Sequence, residues 1–95
     1  MSYRIEFEKR ATQQLGKLDP PICKKVMKRI RSLVEDPRRY PLLSGGLSGL
    51  RKISVRTPGG EYRIVYIVDE ELKAVNIIFA GSRENFYKEL QRYLG

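Results

Sequence analysis

The strongest constraint on the fold is a change in the spacing of apolar residues about halfway along the chain. Between residues 11 and 34 the apolar residues recur every three or four positions, a period typical of helices. Between residues 52 and 80 they alternate with other residues in three short stretches, a period typical of strands. Turn sequences at residues 57–60 and 69–71 separate these stretches, which predicts a three-stranded antiparallel meander.

Two helices are expected ahead of the meander. The first carries Ala11, Leu15 and Leu18 on one stripe. Asp19 and the prolines after it are expected to end this helix and to start the next, with Asp19 as N-cap. The second helix has a longer apolar stripe, made of Ile22, Val26, Ile30, Leu33 and Val34. Asp36-Pro37 ends it, and the short connection predicts an antiparallel helix hairpin.

These elements predict a single α+β domain over residues 1–95. A short strand with Tyr3, Ile5 and Phe7 on its buried side opens the chain, and a short helix closes it after Gly81. We expect an antiparallel sheet of about four strands with the helix hairpin on one face. The last strand has few polar positions and is expected inside the sheet, with Val75, Ile77 and Phe79 on one side. The second face of the sheet is expected to be free for binding.

The charge of the chain predicts an acidic or polyanionic partner. Nineteen Lys and Arg against eleven Asp and Glu give a net charge of +8 over 95 residues. There is no histidine, which excludes a Ser-His-Asp triad and a histidine metal site, and one cysteine excludes an intrachain disulfide. We expect no cofactor and no metal. The chain shows no signal peptide and no membrane-spanning segment, so we expect it in the cytoplasm.

The second predicted helix is strongly basic. No acidic residue occurs between residues 20 and 34, and two interpretations of this surface stay open: an ordinary solvated face, or a face that contacts a polyphosphate. Its cations are Lys24, Lys25, Lys28, Arg29 and Arg31.

A second basic surface follows from the register of the first hairpin. If residues 57–60 form the loop, Arg56 pairs with Glu61 and Ser54 pairs with Arg63. Lys52, Ser54, Arg56 and Arg63 then share one face of the sheet. The opposite face carries apolar and aromatic side chains suited to the core: Ile53, Val55, Tyr62, Ile64 and Tyr66. The basic face either binds phosphate groups or is an ordinary exposed sheet surface.

Such a face could cleave a phosphodiester without histidine. The reaction needs a base for the attacking 2′-hydroxyl, positive charge at the phosphorane, and an acid for the leaving 5′-oxygen. A lysine among other cations can act as a base, arginines can stabilise the developing charge, and a tyrosine can stack on a nucleobase.

Two motifs make the chain resemble the RelE/ParE superfamily of toxins from toxin–antitoxin modules. The first is the predicted strand Tyr62-Arg63-Ile64-Val65-Tyr66, which follows basic–hydrophobic alternation and a glycine-rich turn. The second is Gly81-Ser82-Arg83-Glu84, with Tyr87 four residues after the arginine. The resemblance extends over essentially the whole chain, and the Arg-x-x-x-Tyr ending is typical of RNA-cleaving members.

The resemblance implies a metal-independent endoribonuclease that enters the ribosomal A site and cuts mRNA through its 2′-hydroxyl. Lys52 matches the first of two catalytic lysines, and Arg63 matches the arginine that stabilises the transition state. Arg83 matches the arginine proposed to protonate the leaving group, and Tyr87 matches the tyrosine that orients the substrate. Ser54 stands where the best-known RelE enzymes have their second lysine, so catalysis depends on Lys52 alone or on a neighbouring arginine.

The resemblance also implies partners and an alternative. The expected partners are the ribosome, mRNA and a RelB-like antitoxin that forms a hetero-oligomer with the toxin. The expected RNA-binding residues are Arg51, Ser54, Arg56, Lys24, Lys25 and Lys28. ParE-like members share the fold but poison DNA gyrase by protein contact, and this non-nuclease function is the alternative. A passive RNA-binding module is a third.

Overall fold

The computed structural model describes residues 2–45, 47, 49–82 and 84–95. Four strands and three α-helices follow one another in this part of the chain. They are strand β1 (Arg4–Phe7), helices α1 (Lys9–Leu15) and α2 (Pro20–Arg31), strands β2 (Leu50–Thr57), β3 (Gly60–Asp69) and β4 (Ala74–Gly81), and helix α3 (Phe86–Leu94). A 3-10 turn (Ser32–Val34) continues α2. Within these ranges, no helix combines the length and the apolar character needed to cross a membrane.

The strands form one sheet in the order β1-β4-β3-β2. The meander predicted from the alternation is confirmed, since β2 pairs antiparallel with β3 and β3 pairs antiparallel with β4. The last strand lies inside the sheet, as its apolar sequence predicted, and β1 pairs with its outer side in parallel. This parallel pair is possible because two helices carry the chain from β1 back across the sheet. The result is the predicted α+β fold with four strands, but the sheet is mixed rather than antiparallel throughout, because β1 pairs in parallel.

One face of the sheet forms the larger core with the first two helices. Helix α1 packs against β4 and α2 packs against β2. Ala11, Leu15, Val26 and Ile30 are the buried helical residues, and Leu33 of the 3-10 turn joins them. The predicted core residues of the first hairpin are all buried here, namely Ile53, Val55, Tyr62, Ile64 and Tyr66.

The alternation of β4 is interrupted by a bulge. Val65 pairs with Phe79, whereas the next residue, Tyr66, pairs with Ile77, so Ile78 is extra. Because of the extra residue, the side chains after it point to the opposite face of the sheet from the one that simple alternation predicts. Phe79 therefore lies on the opposite face from Val75 and Ile77, and the prediction that all three share a side was wrong.

The second face of the sheet is not free, contrary to the sequence-based expectation, because α3 covers part of it. Phe86 and Leu90 of α3 are buried against a smaller apolar cluster on this face. Its sheet residues are Leu50, Val65, Ile78 and Phe79. The two helices before the sheet and the one after it thus lie on opposite faces.

The structure departs from the sequence-based predictions at the start of α2 and at the end of β1. Asp19 occupies the N-cap position of α2, but its side chain makes no capping hydrogen bond. Its carbonyl instead accepts the first bond of the helix, from Cys23 N at 2.9 Å. Phe7, expected on the buried side of β1, is 37% exposed at this edge strand, where it lines a shallow pocket with Leu15 of α1 and Met27 of α2.

Candidate active site

The predicted pairing of β2 with β3 is confirmed, and it places basic side chains together on one face of the sheet. Ser54 pairs with Arg63 and Arg56 pairs with Glu61, while Lys52 lies opposite Val65. Because side chains alternate along a strand, Lys52, Ser54 and Arg63 project to the same face as Val65, the face that α3 partly covers.

Helix α3 brings an aromatic ring to these cations. Phe86, its first residue, is buried with its ring 5.6 Å from that of Phe79. Gly81 permits this close approach, since a Cβ at that position would lie only 3.1 Å from Cδ1 of Phe86. The next residue, Tyr87, meets Phe86 edge to face at 5.1 Å between ring centroids. Tyr87 is therefore placed at the border between α3 and the exposed part of the sheet.

Lys52 and Arg63 both lie against the Tyr87 ring. The distance to the ring centroid is 5.8 Å from Nζ of Lys52 and 5.7 Å from Cζ of Arg63. Both distances are within the range of a cation–π interaction. Three of the four residues expected to be catalytic are thus brought together. The fourth, Arg83, lies outside the described residues.

Arg63 is the most constrained of these cations. Its side chain is 23% exposed, and Nη2 lies 3.1 Å from Oε1 of Glu61. Nε is buried and has no hydrogen-bond partner among the residues that the structure describes. A buried donor without an acceptor costs free energy, which is typical of a side chain kept for a function rather than for stability.

A cleft of about 430 Å³ opens beside Lys52 and Tyr87. One wall is formed by residues 41–45 and 47 of the loop before β2, which pairs with the edge of that strand through Leu42 and Arg51. Gln91, one helical turn after Tyr87, completes the other wall. Sequence reasoning did not identify Gln91, although its four-residue spacing from Tyr87 on a helix was the signal available.

Of the other predicted RNA-binding residues, Arg56 shares the face of Lys52 and Arg63 through the alternation of β2, and the rest do not. Arg51 projects to the opposite face, where its Nη1 donates to the Tyr40 carbonyl at 2.8 Å. Arg56 is exposed near the end of β2, and Lys24 is exposed on α2.

Lys25 and Lys28 belong to a second basic cleft, of about 640 Å³, between α2 and the loop after it. Nζ of Lys25 donates to the carbonyl of Arg56 at 3.0 Å, and Nη1 of Arg29 donates to the carbonyl of Ser54 at 3.4 Å. These cations therefore cover part of the open edge of β2, a structural role that sequence reasoning did not foresee. Ser32, Arg39 and Tyr40 line the rest of the cleft.

Known proteins resemble this chain over most of its length. Residues 5–91 match the family model of the ParE-like toxin of type II bacterial toxin–antitoxin systems. The mRNA interferase toxin RelE of Escherichia coli (strain K12) is 32% identical over 84 residues, which cover 88% of this chain and 86% of the relative.

Solved structures of such toxins share the fold. A mutant of E. coli toxin RelE in the free state is 28% identical, with a TM-score of 0.79 and coverage of 100% of both chains. A chain of the intact E. coli RelBE toxin–antitoxin complex is 30% identical, with a TM-score of 0.76, and the match covers 87% of this chain and 99% of that one. The toxin–antitoxin complex RelBE2 of Mycobacterium tuberculosis gives 28% identity, a TM-score of 0.74, and coverage of 87% and 93%.

Proposed function

The chain belongs to the ParE-like toxin family of type II bacterial toxin–antitoxin systems, and on that premise we propose that it is an mRNA interferase, an endoribonuclease that stops translation by cutting mRNA on the ribosome. The observation that carries this proposal is the placement of Lys52 and Arg63 against the ring of Tyr87. Two cations and an aromatic ring at one point suit a phosphate and the nucleobase attached to it.

Each side chain has a role in holding the substrate. Arg63 presents the exposed part of its guanidinium to the phosphate, and its planar fork suits two phosphate oxygens. Lys52 acts as a base in its neutral form and gives the same phosphate a second positive charge once it has taken a proton. Tyr87 stacks on an adjacent base and fixes the direction of the strand through the cleft.

The proposed reaction is an internal transesterification. The 2′-oxygen bonds to phosphorus, the bond from phosphorus to the 5′-oxygen breaks, and a 2′,3′-cyclic phosphate forms. Lys52 is the candidate to take the proton of the 2′-hydroxyl, and Arg83 is the candidate to give a proton to the 5′-oxygen. Arg63 stabilises the negative charge that grows on the phosphorane oxygens. All the groups in this scheme are side chains, so it requires no metal ion.

The wider basic surface suits the ribosome. Lys25 and Lys28 line the second cleft, Lys24 and Arg51 add charge on the same side, and Arg56 extends the charge of the other face. We propose that this side contacts RNA backbone while the Tyr87 side holds the mRNA. Such a function places the protein in the cytoplasm.

We also propose an antitoxin partner similar to RelB. Two of the structures that share the fold are toxin–antitoxin complexes. A net charge of +8 favours an acidic segment in the partner, and apolar contacts would make its binding less sensitive to salt than RNA binding.

Reconstituted translation of a defined mRNA tests the proposed function directly. Mapping of RNA ends with and without the protein should show cuts inside the translated reading frame only, and only when ribosomes are present. A 2′-deoxy nucleotide at the cut position should prevent cleavage there, because the attacking oxygen is missing. Lys52→Ala should reduce cutting strongly, whereas Lys88→Ala, which removes an exposed lysine of α3, should not.

The alternative function, a gyrase poison, is not favoured, because two relatives that are each 32% identical to this chain are mRNA interferases. A DNA supercoiling assay with purified gyrase provides the second arm of the test. Inhibition of gyrase together with intact mRNA would overturn the proposal.

A further inference from the structure

A hydrogen bond joins helix α3 to Glu8, near the start of the chain, and the proposed reaction does not use this bond. The hydroxyl of Tyr93 donates to Oε1 of Glu8 at 2.7 Å. The other carboxylate oxygen, Oε2, accepts from Nδ2 of Asn76 on β4 at 2.9 Å. Both oxygens of Glu8 are thus engaged, and the carboxylate is held in one orientation between the sheet and α3.

The ring of Tyr93 is held as firmly as its hydroxyl. It stacks on Phe79, with centroids 5.4 Å apart and an angle of 27° between the planes. Cζ of Arg10 lies 5.0 Å from its centroid on the side of α1. The hydrogen bond to Glu8 raises the pKa of Tyr93, since the ionised phenolate could not donate it.

Helix α3 needs such contacts with the rest of the protein to stay folded. It has nine residues, and an isolated helix of that length is unstable in water. Asn85, at its N-cap position, makes no side-chain capping bond. Phe86 and Leu90 anchor its first part, and Tyr93 is the contact that holds its last turn. Tyr87 lies on this helix, so its position over Lys52 and Arg63 depends on how α3 is held.

We propose that Glu8 and Tyr93 are positioning residues, which lock α3 and thereby keep the Tyr87 ring against Lys52 and Arg63. The pair touches neither substrate nor reacting atoms and acts through Tyr87. The inference rests on the proposed function for its effect on cleavage, whereas its effect on α3 is independent of that function.

Hydrogen exchange tests the lock itself, that is, whether the hydrogen bond between Tyr93 and Glu8 holds α3 in place. Tyr93→Phe removes one hydroxyl and keeps the ring that stacks on Phe79. Backbone amides of residues 88–94 should then exchange about three- to tenfold faster, the factor expected for the loss of one hydrogen bond. Glu8→Ala should give at least the same increase, because it also removes the acceptor of Asn76. Glu8→Gln keeps one acceptor oxygen for Tyr93 and should restore most of the protection, since the Asn76 amide can turn its oxygen towards the new amide N–H.

Tyr3→Phe is the matched control for the exchange measurement. Tyr3 also donates its hydroxyl to a carboxylate, Oε1 of Glu70 at 2.8 Å, but this pair does not contact α3. The control should leave exchange in α3 unchanged. Equal exchange of α3 in the wild type and in Tyr93→Phe would overturn the lock, whatever the cleavage assay gives.

A double-variant comparison tests the positioning role. Tyr93→Phe should slow mRNA cleavage about three- to tenfold in the wild-type background. In a Tyr87→Ala background the same change should have no further effect, because the ring to be positioned is gone. An equal loss in both backgrounds would mean that Tyr93 supports the fold generally, and the positioning role would be wrong. If the wild type cut no mRNA while exchange changed as expected, the proposed function and this role in it would fail, but the lock would stand.

Discussion

At the scale of single residues, the site combines a partly buried arginine with a position that lacks a positive charge. Ser54 lies directly across from Arg63, at the position where the resemblance leads one to expect a second lysine. Serine carries no charge at neutral pH, so position 54 adds nothing to the positive charge of Lys52, Arg56 and Arg63 on this face. The site is therefore expected to hold the phosphate with one positive charge fewer than it would have with a lysine at position 54.

Restoring the missing charge should increase activity. Ser54→Lys adds an ammonium beside Arg63 and should speed mRNA cleavage by about tenfold, because more charge faces the transition state. Gln13→Lys is the control, since it adds the same charge at an exposed position of α1. Equal rates for the two variants in a single-turnover cleavage assay would contradict the assigned role of position 54.

Two buried tyrosines predict how stability responds to alkaline pH. Burial raises the pKa of Tyr62 and of Tyr66 to about 12, from 10.0 in the unfolded chain. Folding therefore favours the protonated hydroxyls: their contribution is complete below pH 10 and is lost as the pH rises towards 12. In that window each should lower the free energy of unfolding by about 1.4 kcal/mol per pH unit.

Urea denaturation over this pH range checks the prediction with Tyr62→Phe. The phenylalanine has no proton to lose, so the variant should lose stability less steeply than the wild type by about that slope. Parallel curves for the two proteins would mean that the Tyr62 hydroxyl titrates alike in the folded and unfolded chains.

At the scale of elements, the bulge at Ile78 determines where α3 is placed. It moves Phe79 to the second face, where the ring contacts both Phe86 and Tyr93. Without the extra residue Phe79 would point into the larger core, and α3 would lose the aromatic side chain on which its first and last turns rest. The bulge thus contributes indirectly to the position of Tyr87.

The close packing at the start of α3 gives a matched pair of glycine substitutions. Gly81→Ala places a Cβ 3.1 Å from the Phe86 ring, which must give by a few tenths of an ångström at the start of α3, and both stability and mRNA cleavage should fall. Gly59→Ala, in the β2–β3 turn, meets nothing within 4 Å and should leave both unchanged or raise stability slightly. Thermal unfolding and cleavage rates measure the two effects. Cleavage by Gly81→Ala at the wild-type rate would show that Tyr87 tolerates such a shift.

Alternation and turn residues were enough to predict much of the sheet and of the site. The four-residue turn set the register of β2 and β3, and with it the shared face of Lys52, Ser54 and Arg63. The bulge could not be predicted, because Ile78 sits in an apolar stretch where either facing buries a side chain. Which face of the sheet α3 covers depends on that bulge, so it could not be predicted either. The contact of Tyr93 with Glu8 was equally out of reach, because it joins residues from opposite ends of the chain.

At the scale of the whole molecule, positive charge is present on both faces of the sheet. Lys52 and Arg63 lie with α3 on one face, while Lys25 and Lys28 line the cleft beside α2 on the other. The edge strand β2 separates the two basic surfaces. This arrangement suits insertion between two RNA segments better than binding along a single groove, which agrees with a toxin that acts on mRNA inside the ribosome.

The most direct test of the account is the cleavage rate of Arg63→Leu in a single turnover on programmed ribosomes. Leucine fills the space beside Phe86 and Tyr87 but removes the guanidinium and its unpartnered Nε, so the protein should remain as stable as the wild type. Its cleavage of mRNA should nevertheless be slower by about 10²-fold or more, while Arg31→Leu, at an exposed position of α2, should cut at the wild-type rate. A folded Arg63→Leu protein that cleaves as fast as Arg31→Leu would contradict the assignment of this site.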